Sequence, residues 1–85
     1  MVMVNSLNET VELMTSSDYK DRFKAEYYQL EYRYLRLKRM LDDWGNDRLT
    51  FTPTCDKEIY MQQINAMSEY INILQKRASV ENVEL

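Results

Sequence analysis

Three features of the chain predict an all-α fold: an antiparallel two-helix hairpin of coiled-coil type, preceded by a short N-terminal helix. First, two segments place apolar residues at alternating intervals of four and three. Phe23, Tyr27, Leu30, Tyr34, Leu37, Leu41 and Trp44 form one series, and Tyr60, Ile64, Met67, Ile71, Leu74 and Ala78 the other. That is the spacing of helices that bury a single seam. Second, one glycine and one proline in 85 residues leave little to interrupt long helices. Third, seams of similar length joined by a short connection close on each other as an antiparallel pair.

The elements follow in order. Ser6-Leu7-Asn8-Glu9 reads as a capping box, in which the serine serves the third amide of the helix and the glutamate reaches back. Leu7, Val11 and Met14 then repeat at helical spacing, so a short helix is expected over 7–14. Thr15-Ser16-Ser17 breaks it, making 1–17 a short helix and its break. Ser16 or Ser17 can cap the next helix, and Asp18 and Asp21 suit its positive end. The first long helix spans 18–44, a rod of about 40 Å at 1.5 Å per residue. Gly45 is the expected left-handed residue beyond its end. The connection 45–54 is partly apolar through Leu49, Phe51 and Pro53, and is expected to pack over the end of the hairpin. Thr54 is the expected cap of a second long helix over 55–79, with Asp56 and Glu58 in its first turn. Residues 80–85 read as a frayed tail. The whole of 1–85 makes one domain, with Leu30, Leu37, Ile64, Met67, Ile71 and Leu74 as its expected core.

Composition excludes more chemistry than it suggests. With no histidine there is no imidazole base and no Ser-His or Cys-His pair. Cys55 is the only cysteine, so the chain can form no internal disulfide and no zinc site of its own. A single glycine rules out a glycine-rich phosphate loop. The expectation is a protein that is not an enzyme and uses no cofactor or metal. A core this small usually needs support, and self-association is what remains. Met1-Val2-Met3-Val4 is too short for a signal sequence and no apolar run reaches membrane length. With the free thiol, this points to the cytoplasm and away from membranes.

The net charge of −3 is too mild for direct DNA binding. Its distribution is uneven. Residues 19–40 hold seven basic and three acidic side chains, a net +4 that leaves −7 for the rest of the chain. Cations in the later half of a helix also offset its dipole, which is the plain explanation for Arg33 to Arg39.

The hairpin carries more apolar surface than its seams use: Tyr28, Tyr32, Leu35 and Met40 on the first long helix, and Met61, Tyr70 and Ile73 on the second. Tyr28, Tyr32, Arg36 and Arg39 fall on one broad face, and Arg33 flanks the seam. Three explanations stay open. The stripe can be a self-association surface, which favours aromatics and arginine. It can be where the N-terminal helix docks. It can also be a ligand site, with tyrosine stacking on bases and arginine holding phosphate. Tyr28, Tyr32, Arg33, Arg36 and Arg39 are the candidate binding residues.

Glu26, Leu30, Arg33, Tyr34, Leu37, Met40 and Leu41, followed by Gln63, Met67, Tyr70, Leu74 and Arg77, together form a spaced pattern over about 19–77. This pattern resembles the small helical-hairpin proteins related to crAss-like phages, found in tailed phages and prophages. The N-terminal extension lies outside the shared part, and the Thr52-Pro53-Thr54-Cys55 loop is longer than in many members. The resemblance implies a phage accessory protein acting in the cytoplasm of an infected bacterium. Other small phage hairpins oligomerise and sequester the cyclic-nucleotide signals of bacterial immunity, which is an analogy of fold. The leading expectation is therefore an anti-defence binding protein: a homo-oligomeric sponge for a nucleotide second messenger. The alternatives are an anti-CRISPR-like inhibitor of a host defence protein and a structural coiled-coil adaptor.

Overall fold

The computed structural model describes residues 5–85. It is all-α. A 3-10 turn, Leu7–Thr10, leads into the four-residue helix α1, Val11–Met14. Two long helices follow, α2 over Tyr19–Gly45 and α3 over Lys57–Glu81. They pack as an antiparallel pair in a molecule of 43 × 24 × 20 Å. No helix among the described residues is long and apolar enough to cross a membrane.

The ends of the helices show which polar groups won. The Glu9 carboxylate accepts from the Ser6 amide at 3.1 Å, so the expected return arm of the capping box is in place. At α2 the cap is Asp18, not Ser16 or Ser17: its carboxylate accepts from the Lys20 amide at 2.9 Å. Ser16 instead donates to Asp21 and accepts from the Asp18 amide, which braces the turn before the helix. Gly45 does not take the left-handed conformation. It is the last helical residue, and Asp47 makes the turn at φ 55°. Asp and Asn are the non-glycine residues that best tolerate that region. The Arg48 amide then closes on the Asp43 carbonyl at 2.8 Å, folding the connection back along α2. At α3 the cap is Asp56 rather than Thr54, so Cys55 lies outside the helix and exposed.

The seams are as the spacing predicts. Every residue of both series is buried or half-buried. Ile64 and Leu74 are buried, Leu74 almost completely, whereas Leu30, Leu37, Met67 and Ile71 are half-buried. The core is concentrated at one end of the hairpin, where Phe23, Tyr27, Tyr28, Leu74, Ala78 and Val83 pack together with Leu13, Leu30, Ile71 and Leu85 around them. Toward the other end the contacts thin to Leu41, Ile64 and an edge-on pair of Trp44 and Tyr60.

Both chain ends reinforce that core. Thr10 is fully buried, and its hydroxyl accepts from Gln29 of α2 at 2.9 Å while donating to the Leu7 carbonyl. The C-terminal segment expected to fray is instead folded in. Asn82 turns left-handed at φ 57°, the Val83 amide returns to the Ala78 carbonyl at 2.9 Å, and Val83 drops into the core. This is a Schellman-type stop with its hydrophobic contact. Lys20 donates to the Asn82 carbonyl and ties the turn to α2.

The buried tyrosines make the fold sensitive to alkali. Burial raises the Tyr27 pKa above its ordinary 10.0, with Glu31 adding to the shift and a hydrogen bond from Gln75 opposing it. Burial also raises Tyr28, and the Glu26 carboxylate, which accepts a hydrogen bond from the Tyr70 hydroxyl, raises Tyr70. A group whose pKa is raised on folding contributes stability that is complete below the unfolded value and lost as pH rises through the folded one. Stability should therefore hold up to about pH 10, the unfolded value, and fall above it. Circular dichroism and phenolate absorbance should show helix loss and late tyrosine ionisation together. Full tyrosine titration at pH 10 without helix loss would contradict this.

Candidate functional site

The residues singled out on α2 do not form one surface. Tyr28 is 6% exposed and packs edge-on to Tyr27 at 5.9 Å, so it belongs to the core and is not free to contact a ligand. It lies off the seam, but the N-terminal segment and the C-terminal turn both feed side chains into the cluster that holds it. Docking of the N-terminal helix thus accounts for part of the apolar surplus.

The other four residues divide between two grooves. Arg33 is exposed and lines a groove of about 430 Å³ with Met14, Arg22, Glu26, Gln29 and Leu30, where α1 lies along α2. Arg36 and Arg39 line a larger one, about 610 Å³, between the last turns of α2 and the folded-back connection. Its walls are Leu37, Met40 and Asp43 from the helix, and Arg48, Leu49, Thr50 and Phe51 from the connection. Tyr32 stands one turn before it. The Tyr32 hydroxyl accepts from Arg36 at 2.9 Å, and the guanidinium carbon lies 5.5 Å from the ring centre. Tyr32 therefore orients Arg36, leaving the other donors of its planar fork free.

The electrostatics separate the two ends of the molecule. Two ion pairs occur among the described residues, Arg48–Asp43 at 3.2 Å and Arg77–Glu81 at 2.8 Å. Arg33, Arg36 and Arg39 are in neither, and all three are exposed. Arg48 is held only at one carboxylate oxygen, by two of its nitrogens. The larger groove thus brings together three guanidinium groups, one carboxylate, an apolar floor and the Phe51 ring, which is 57% exposed. Such a combination can hold a flat anionic molecule, with guanidinium forks on phosphate and a ring against a base.

The loop half of this groove was not found by sequence reasoning. The apolar character of Leu49 and Phe51 predicts that they pack over the end of the hairpin; Leu49 is half-buried, and Phe51 remains open. The available signal was the position of Arg48 beside two apolar residues in a connection that follows a basic helix.

Two of the pattern-matching residues have structural work. Tyr70 reaches across to Glu26, and the Arg77 guanidinium sits 4.7 Å above the Phe23 ring while pairing with Glu81. Both cross-brace the hairpin. Depression of the Glu81 pKa by that hydrogen bond agrees with the pairing.

One family model matches this chain, that of the Sequestin family, over residues 17–80. No curated protein and no solved structure matches the chain. The matched span takes in α2, the connection and all of α3 but its last residue, and hence the whole of the larger groove.

Proposed function

Because this chain belongs to the Sequestin family, we propose that it works by stoichiometric capture, holding a phosphate-bearing nucleotide messenger in the groove of Arg36, Arg39 and Arg48. The family name speaks of sequestering, which suits a binding, non-catalytic role. The observation that carries the ligand class is the pair of exposed guanidinium groups of Arg36 and Arg39, in no ion pair among the described residues, in a groove with an apolar floor and an open aromatic ring. A volume of about 610 Å³ lies within the range of small-molecule sites. We further propose that this capture happens in an infected bacterium, a reading supported by the resemblance to small phage hairpins, where removing an immune signal would blunt host defence. The copies are proposed to self-associate, since exposed apolar residues remain on both long helices.

Thermal shift against a panel of cyclic mono-, di- and oligonucleotides tests this. A ligand at a hundred times its Kd adds about 2.7 kcal/mol, which for a domain of this size raises Tm by roughly 10 °C or more. Heating the complex should return the nucleotide chemically intact, as capture without turnover requires. A panel that moves Tm no more than inorganic phosphate does would exclude the nucleotide, and recovery of a cleaved product would exclude capture alone.

A further inference from the structure

Helix α3 carries a second stripe beside its buried seam, and the aliphatic positions of that stripe are left uncovered by the hairpin. About 100° around the helix from its inner seam, Ile59, Ala66, Ile73 and Val80 recur at intervals of seven, and all four are exposed. Ile59 is 51%, Ile73 54% and Val80 82% exposed. Gln63, Tyr70 and Arg77 fall between them, which completes a spacing of four and three; Tyr70 and Arg77 send their polar ends to α2 at Glu26 and Phe23, and Tyr70 stays 43% exposed. This is the pattern of a helix that takes a second helical partner. Its period of 3.5 drifts slowly around a straight helix and suits a neighbour that follows it lengthwise.

We propose that the occupant of this stripe is a second copy of the same chain, lying antiparallel along α3 with Tyr70 against Ile73 of the other copy. Charge sets both the direction and the register. Glu69 and Lys76 stand one heptad apart on the same flank of the stripe. Both are exposed, and neither is in an ion pair among the described residues. In an antiparallel pair, matching flanks face each other. With Tyr70 against Ile73, Glu69 of each copy meets Lys76 of the other, and the two-fold makes the contact twice. A parallel pair would instead stack Arg77 on Arg77 inside the seam. In the antiparallel register Arg77 faces Ala66, a small residue that leaves room for its stem, while its guanidinium stays on Glu81 and the Phe23 ring. Glu58 and Glu81 lie about a quarter-turn from the stripe and do not face each other across it.

This deepens the self-association proposed above and does not depend on the ligand. Light scattering should give the mass of a dimer at tens of micromolar protein. Glu69→Lys places Lys opposite Lys76, and Lys76→Glu places Glu opposite Glu69, so each single change should weaken the dimer about tenfold at low salt. The double change Glu69→Lys/Lys76→Glu should restore it. Ile73→Glu should give a monomer with unchanged helix content, because the residue is exposed in the single chain. A wild-type monomer, a dimer that survives Ile73→Glu, or a double change that fails to restore association would each overturn the proposal. Nucleotide titration of the Ile73→Glu monomer reads the groove separately, so failure of one idea is distinguishable from failure of the other.

Discussion

Leu74→Ala should cost about 2–5 kcal/mol, the range for removing a large aliphatic side chain from a packed interior. Leu74 is 1% exposed and sits at the centre of the cluster made by Phe23, Tyr27, Tyr28, Ala78 and Val83. Its loss opens a cavity lined by large rings, which cannot easily collapse. Small domains have about 5–15 kcal/mol to lose, so the effect is a large share of the total. Leu37→Ala is the informative companion. Leu37 holds an equivalent seam position but is only half-buried, at the thin end of the hairpin. Since burial contributes in proportion to the apolar area removed from water, its cost should be smaller, about 1–2 kcal/mol. Chemical denaturation of both variants measures the contrast. Equal losses would mean that the core is spread evenly along the hairpin.

That asymmetry marks the boundary of what the amino-acid pattern discloses. The seams are legible because a helix with one buried face must repeat its apolar residues near 3.5, and nothing in these segments competes with that period. The pattern is silent on how much each seam residue is covered, because coverage depends on elements outside the helix. Tyr28 and Val83 show this. Tyr28 lies off the seam and reads as surface, yet the chain ends close over it. Val83 follows a segment that reads as a tail, yet the left-handed Asn82 turns it inward. Turn chemistry was readable only in kind. Gly45 has the freedom for the left-handed position, but α2 gains one more residue by running through it, and Asp47 takes the turn.

The candidate site was legible to a similar degree. Arg36 and Arg39 could be named from their spacing on a basic helix, since residues three apart share a face. Arg33 also reads as standing apart from them, flanking the seam, but the groove it lines does not follow from spacing, because Met14 of α1 forms part of its wall. Nor does the juxtaposition of Arg36 and Arg39 with Arg48 and Phe51, which depends on the connection folding back along α2 through the Arg48 amide.

Reversing charge at both Arg36 and Arg39 should abolish nucleotide capture while leaving the fold intact. Each guanidinium offers hydrogen bonds to a charged acceptor, worth about 1.5–3 kcal/mol apiece. Losing both removes about 3–6 kcal/mol, or roughly a hundredfold to ten-thousandfold in Kd, before the repulsion from two new carboxylates is added. The fold should tolerate the change, since both residues are exposed and neither is in an ion pair. The main internal loss is the Arg36–Tyr32 contact, which lies at the surface. Arg36→Lys/Arg39→Lys keeps the charge but removes the planar fork, so it should recover only part of the affinity. Calorimetric titration of the three proteins, with light scattering on each, separates the explanations. If the Glu variant loses capture and remains a dimer, the groove is the binding site and the dimer does not rest on Arg36 and Arg39. If it loses capture only by becoming a monomer, the α2 stripe is an assembly surface. Unchanged affinity in the Glu variant would remove the groove from consideration and leave the smaller one, with Arg22 and Arg33, as the basic site to test.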